Sequence, residues 1–168
     1  MRCRSLIVLF LLITSTSSAV ELVLPDLQGR DRALSEFRGK WVLVNFWATW
    51  CAPCIEELPE LNHFHQTHQA GDAMVLGVNM EDLPLDRLQR FVDKWSVRYP
   101  VLLAPAEGST SLGKVSALPT SILVSPRGEV VERRVGPVSA HWIEQRIRNA
   151  EGDGRVRGLS KQQEERGF

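Results

Sequence analysis

The segment that most constrains this chain is an apolar run, Trp41 to Trp47, that leads within a few residues into Trp50-Cys51-Ala52-Pro53-Cys54 and then into the helical run Ile55-Glu56-Glu57-Leu58. A near-continuous apolar stretch of that length is the pattern of a central strand covered on both faces. Cysteines three apart on a helix lie one turn apart on the same face, so their sulfurs can close a disulfide with little backbone movement. A helix N-terminus offers unpaired N–H groups and partial positive charge, which favour the thiolate of the first cysteine. The spacing predicts a reversible dithiol, with Cys51 the exposed nucleophile and Cys54, a turn deeper, the resolving thiol.

Other uses of two cysteines fit less well. A structural staple gains little, since closing a loop of about four residues is worth roughly 2 kcal/mol against roughly 3 for fifteen. Zinc needs four ligands, and the chain holds no second Cys-x-x-Cys; His63, His65 and His68 fall at the far end of the same helix. Covalent haem attachment would need histidine where Ile55 stands. No metal ligand set is expected.

Residues 1–19 read as a secretory signal: Arg2 and Arg4 at the start, an apolar core from Leu6 to Ile13, then small residues with Ser17 and Ala19 before a cleavage site. The apolar core is shorter than the about 20 residues a bilayer needs, so a cleaved signal is expected, with an uncleaved membrane anchor as the alternative. Cys3 would leave with the signal, so Cys51 and Cys54 would be the only cysteines of the exported chain. Export favours stapling of longer loops, so a lone Cys-x-x-Cys there points to reaction. Without Arg2 and Arg4 the 20 basic residues fall to 18 against 20 acidic, a formal charge of −2. That balance argues against nucleic acid or an anionic membrane surface as partner.

Residues 20–150 read as one domain. Val20 to Leu24 is an edge strand, and Trp41 to Trp47 a buried one. A helix opening at Cys51 turns Ile55, Leu58, Leu61 and Phe64 inward, is bent by Pro59, and ends in a solvated stretch from His63 to His68. Ala73 to Asn79 is a second buried strand. A helix after Pro84 carries Leu85, Leu88, Phe91, Val92 and Trp95. Val101 to Ala104 is a short strand, Ser109 to Val115 a short helix, and Ser121 to Val124 and Glu129 to Val135 form a hairpin over Ser125-Pro126-Arg127-Gly128. Ser139 caps a last helix with Trp142, Ile143 and Ile147 inward. Residues 151–168 carry almost no apolar side chain and read as a disordered polar tail.

The run Val44-Asn45-Phe46-Trp47-Ala48-Thr49-Trp50-Cys51-Ala52-Pro53-Cys54 resembles the active-site strand, turn and helix of the thioredoxin superfamily, in its TlpA/ResA-like branch of extracytoplasmic thiol-disulfide oxidoreductases. Arg98-Tyr99-Pro100-Val101-Leu102-Leu103, Leu118-Pro119-Thr120-Ser121 and Ser125-Pro126-Arg127-Gly128-Glu129-Val130 match in order downstream, so the resemblance spans roughly residues 21 to 150. It implies an α/β thioredoxin-like fold, a central mixed β-sheet flanked by helices on both faces. It implies that Leu118-Pro119 is the cis-proline loop facing the dithiol, where substrate chain pairs in an extended conformation. It matches Glu57 to a glutamate the branch places near its cysteines, and puts Asn45 where thioredoxin has a buried aspartate. Read as an ordinary residue, Glu57 is an acid favoured in a first helical turn.

The expected catalytic residues are therefore Cys51, Cys54 and Glu57, with Trp50, Pro53, Leu118 and Pro119 facing substrate. The expected function is reduction of protein disulfides in the periplasm by a monomer with no cofactor beyond the Cys51–Cys54 disulfide. Electrons would come from a membrane thiol-disulfide donor, and the resemblance implies substrates such as apocytochrome c or proteins of the oxidase copper site. The alternative is a metal-handling module carrying copper or zinc on the two thiolates. Cys-x-x-x-Cys with a distal histidine would favour it, and the chain has two residues between its cysteines. A peroxidase would need Thr-x-x-Cys with an upstream proline, which the sequence lacks.

Overall fold

Strand β3 has neighbours on both sides and explains most of what surrounds it. In a computed structural model, which describes residues 19–105 and 109–165, the chain opens with β1 (Val23–Pro25) and β2 (Asp31–Ala33), paired antiparallel, and a 3-10 turn at Leu34–Phe37. Then come β3 (Trp41–Trp47), helix α1 (Ala52–His68), β4 (Ala73–Asn79), α2 (Leu85–Lys94) and β5 (Val101–Leu103). Two short strands, β6 (Ser109–Thr110) and β7 (Gly113–Lys114), precede β8 (Thr120–Val124), β9 (Val130–Val135) and helix α3 (Ala140–Glu165). The main sheet has the order β5-β4-β3-β8-β9; β3 and β5 run parallel to β4, while β8 and β9 are antiparallel to their neighbours.

All seven residues of β3 and all seven of β4 are buried, as continuous apolar runs covered on both faces should be. Alternation divides β3 between two cores. Trp41, Leu43 and Trp47 face the α-helices: Trp41 and Leu43 pack with Leu58, Leu61 and Phe64 of α1 and Ile143 and Ile147 of α3, and Trp47 with Leu88 and Phe91 of α2. Val42, Val44 and Phe46 face the other way, onto Leu22, Leu24 and Leu34 of the N-terminal hairpin and its 3-10 turn. Among the described residues helical cover is thus present on both faces but unequal, three α-helices against one 3-10 turn.

Three local readings change. The expected helix at Ser109 to Val115 is the β6–β7 hairpin, turned over Ser111-Leu112 into Gly113 with φ 98° and held by the Arg133 guanidinium, which donates to the Leu112 and Lys114 carbonyls. His65, expected on a solvated face, is only 3% exposed; its Nδ1 accepts the Val75 N–H at 3.2 Å, and burial lowers its pKa. The tail expected to be disordered from residue 151 instead continues α3 to Glu165. Its Arg, Lys, Gln and Glu are good helix formers, and a helix already nucleated by packed turns extends at little cost. Trp41 anchors the join, donating from Nε1 to Glu151 Oε1 at 3.1 Å. The expected signal segment 1–19 lies outside the described residues except for Ala19. No described helix is long and apolar enough to cross a membrane.

Candidate active site

The parallel pairing of β3 with β4 brings the C-terminal ends of both strands to one edge, where α1 starts. Cys51 is the N-cap of α1 in an extended conformation, Pro53 occupies the first turn, and the Cys51 carbonyl accepts the N–H groups of Cys54 and Ile55 at 3.0 and 3.1 Å. Cys51 and Cys54 are joined as a disulfide, with Cα atoms 5.2 Å apart. Both are buried, Cys51 at 4% and Cys54 at 1% exposure, so Cys51 is not the openly exposed sulfur that helix position alone suggests. The two sit in an apolar cluster with Trp47, Ala48, Leu88 and Val101, and in the bonded state each sulfur covers the other.

Trp50, expected to face substrate, is 71% exposed. Leu118 packs against the cluster that holds the two cysteines; the Leu118-Pro119 peptide bond is cis, and the Pro119 carbonyl accepts the Gly136 N–H at 2.8 Å. Pro53 is half-buried.

Glu57, one turn after Cys54, is buried at 3% exposure between α1, the sheet and the start of α3. Its Oε1 accepts the Asn45 side-chain amide at 2.8 Å and its Oε2 the Val138 N–H at 2.8 Å. Burial pushes its pKa up to about 7, against the pull of those two donors. A carboxyl that exchanges its proton near neutrality, three residues from a thiol, has the properties of a general acid or base. Asn45 donates also to Ser121 Oγ, its cross-strand partner, at 3.0 Å.

One contributor escaped the sequence reading. Glu81, just past β4, clamps the loop before Cys51: Thr49 donates to it from both backbone N–H (2.6 Å) and Oγ1 (3.0 Å), and the Asn79 side-chain amide donates at 3.1 Å. The available signal was topological, since an acid directly after a strand parallel to β3 must lie at the same sheet edge as Cys51.

A reversible cysteine pair at the N-cap of the first helix, facing a cis-proline loop on this mixed sheet, defines a thioredoxin-type thiol-disulfide oxidoreductase. The family model described as the AhpC/TSA family matches residues 16–133. The thiol-disulfide oxidoreductase ResA of Geobacillus thermodenitrificans is 31% identical over 131 residues, covering 78% of this chain and 75% of its own. A DsbF homologue from Corynebacterium diphtheriae superposes with a TM-score of 0.70 at 26% identity, over 78% of this chain and 85% of that one. A secreted thiol-disulfide isomerase from Corynebacterium glutamicum superposes with a TM-score of 0.67 at 27% identity, over 73% and 78%. The chain belongs to the AhpC/TSA family of the thioredoxin superfamily, among its ResA-like thiol-disulfide oxidoreductases.

Proposed function

We propose that this oxidoreductase works outside the cytoplasm as a reductant of protein disulfides. The Cys51 thiolate attacks a substrate disulfide, forming a mixed disulfide and expelling one substrate thiolate. The Cys54 thiolate then attacks Cys51 Sγ, freeing the second substrate thiol and leaving the Cys51–Cys54 disulfide. The substrate gains two electrons and two protons, and Glu57 carries protons to and from the dithiol. A membrane thiol-disulfide donor returns the enzyme to its dithiol form, and no further cofactor takes part. Substrate chain lies along Leu118-Pro119 with Trp50 as an exposed aromatic contact. Apocytochrome c and proteins of the oxidase copper site are the substrate class, and the enzyme acts as a monomer.

The observation that carries this reading is the bonded pair at the α1 N-cap with Leu118 packed beside it and Trp50 exposed. The secreted isomerase among the structural relatives and the signal-like residues 1–19 support the location. Substrate trapping on a Cys54→Ala variant tests it. Mixed disulfides through Cys51 to extracytoplasmic proteins are expected, and complexes that persist in Cys51→Ser would remove Cys51 as nucleophile.

A further inference from the structure

The Asn45 amide is only half used. Its Nδ2 donates to Glu57 Oε1 and to Ser121 Oγ, at 2.8 and 3.0 Å, while its Oδ1 is buried with no hydrogen-bond partner among the described residues. With the Val138 N–H on Oε2, both Glu57 oxygens act as acceptors, the arrangement an ionised carboxylate needs. Once Glu57 takes up a proton, one oxygen must donate. The Val138 N–H cannot accept, and an O–H facing Asn45 Nδ2 sets donor against donor.

The two ends of a carboxamide have nearly the same shape, so a half-turn of the side chain puts Oδ1 where Nδ2 was. Oδ1 then accepts from the Glu57 O–H. Ser121 needs no rearrangement beyond rotating its hydroxyl, which can donate as well as accept. One amide atom stays unpaired in either arrangement, Oδ1 beside the ionised acid and Nδ2 beside the protonated one.

We propose that Asn45 and Ser121 are positioning residues for Glu57, holding it in both protonation states by a half-turn of the Asn45 amide between β3 and β8. The inference rests on the reading of Glu57 as the proton carrier of the dithiol. It explains what Asn45 does on the strand leading to Cys51. A fixed donor there would favour only the ionised acid, a leucine would pair with neither form, and the adaptable amide keeps both accessible. Protons reach Glu57 through a solvent-open groove of about 370 Å³ between α1 and the start of α3, which Glu57 lines together with Glu56, Glu60, Arg134, Val138 and Trp142. Of the charged groups there, Glu60 is engaged by the Ala140 N–H at 3.0 Å, Arg134 lies over the Trp142 ring at 5.2 Å, and Glu56 is exposed. The buried Tyr99, in the loop before β5, feels the Glu57 charge; burial, with that charge, raises its pKa and keeps it neutral.

Nuclear magnetic resonance of the isotope-labelled, full-length protein in its disulfide form tests this without any exchange reaction. The Asn45 side-chain amide signals are expected to titrate with the same midpoint as the Glu57 carboxyl carbon. Nuclear Overhauser contacts from the Asn45 NH2 protons to Ser121 are expected at high pH and lost at low pH. Contacts that persist across the Glu57 titration would overturn the proposal. Should the amide turn while Glu57→Gln leaves the exchange rate unchanged, the reading of Glu57 as proton carrier fails and the turning amide stands.

Discussion

Replacing Glu57 by Gln should make the protein more stable above neutrality, an unusual outcome for removing a buried, doubly bonded side chain. Burial raises the folded-state pKa of Glu57 from 4.5 to about 7, so the folded chain holds a proton that the unfolded chain has already released. A raised acid contributes stability that is fully present below its unfolded pKa and is lost as pH rises through the folded one. The difference of about 2.5 units, at roughly 1.4 kcal/mol each, is about 3 kcal/mol lost between pH 4.5 and pH 8. Gln has nearly the same shape, keeps an oxygen for the Val138 N–H and never ionises. Urea unfolding of the disulfide form at several pH values checks this, with other titrating groups cancelling in the comparison. The wild-type curve should fall relative to the Glu57→Gln curve by about 3 kcal/mol over that window. Parallel curves would refute the argument that burial dominates at Glu57.

At Gly77 a Cβ would come within 2.7 Å of Tyr99 Cε2 and 3.0 Å of Trp47 Nε1, so Gly77→Ala should cost about 1–3 kcal/mol in equilibrium unfolding. A cost under about 0.5 kcal/mol would show that the Tyr99 ring yields freely. Glu81→Ala removes both bonds to Thr49, and amide exchange at Thr49 should speed by roughly tenfold or more, whereas unchanged protection would deny the clamp. Trp50, at 71% exposure, should matter to partners and not to folding. Trp50→Ala should weaken trapped protein complexes by about tenfold or more while stability stays within about 0.5 kcal/mol, and equal trapping would remove Trp50 from the docking surface.

What the sequence carried most clearly was the sheet interior. Trp41 to Trp47 and Ala73 to Asn79 are strands over those same residues because continuous burial on two faces leaves no room for polar alternation. Ser139 caps the last helix as its hydroxyl chemistry suggests, accepting the Trp142 N–H at 3.2 Å. Legibility fell where neighbours distant in sequence decide. His65 reads as a polar end residue until β4 supplies an N–H for its ring. Ser109 to Val115 lacks a strong period, and its hairpin depends on Arg133 reaching across from β9. The polar stretch after residue 150 has little apolar surface to bury, yet the helix there extends from packed turns upstream. In the site, the cysteines and the Leu118-Pro119 loop were readable from motifs, while Glu81 and the link from Glu57 through Asn45 to Ser121 needed the strand register.

The proposed direction of exchange is that the dithiol donates electrons. Strongly oxidising pairs stabilise the reduced form through a very low thiolate pKa, helped by donors or positive charge around the cysteines. Ala52 and Pro53 bring no charge and no side-chain donor, and an ionised Glu57 nearby opposes the thiolate. Equilibrating the protein with a thiol buffer of known potential and counting the reduced fraction of Cys51–Cys54 measures the outcome directly. A reduction potential below about −200 mV is expected, and a value near the roughly −120 mV of a strong periplasmic oxidant would contradict a reducing role.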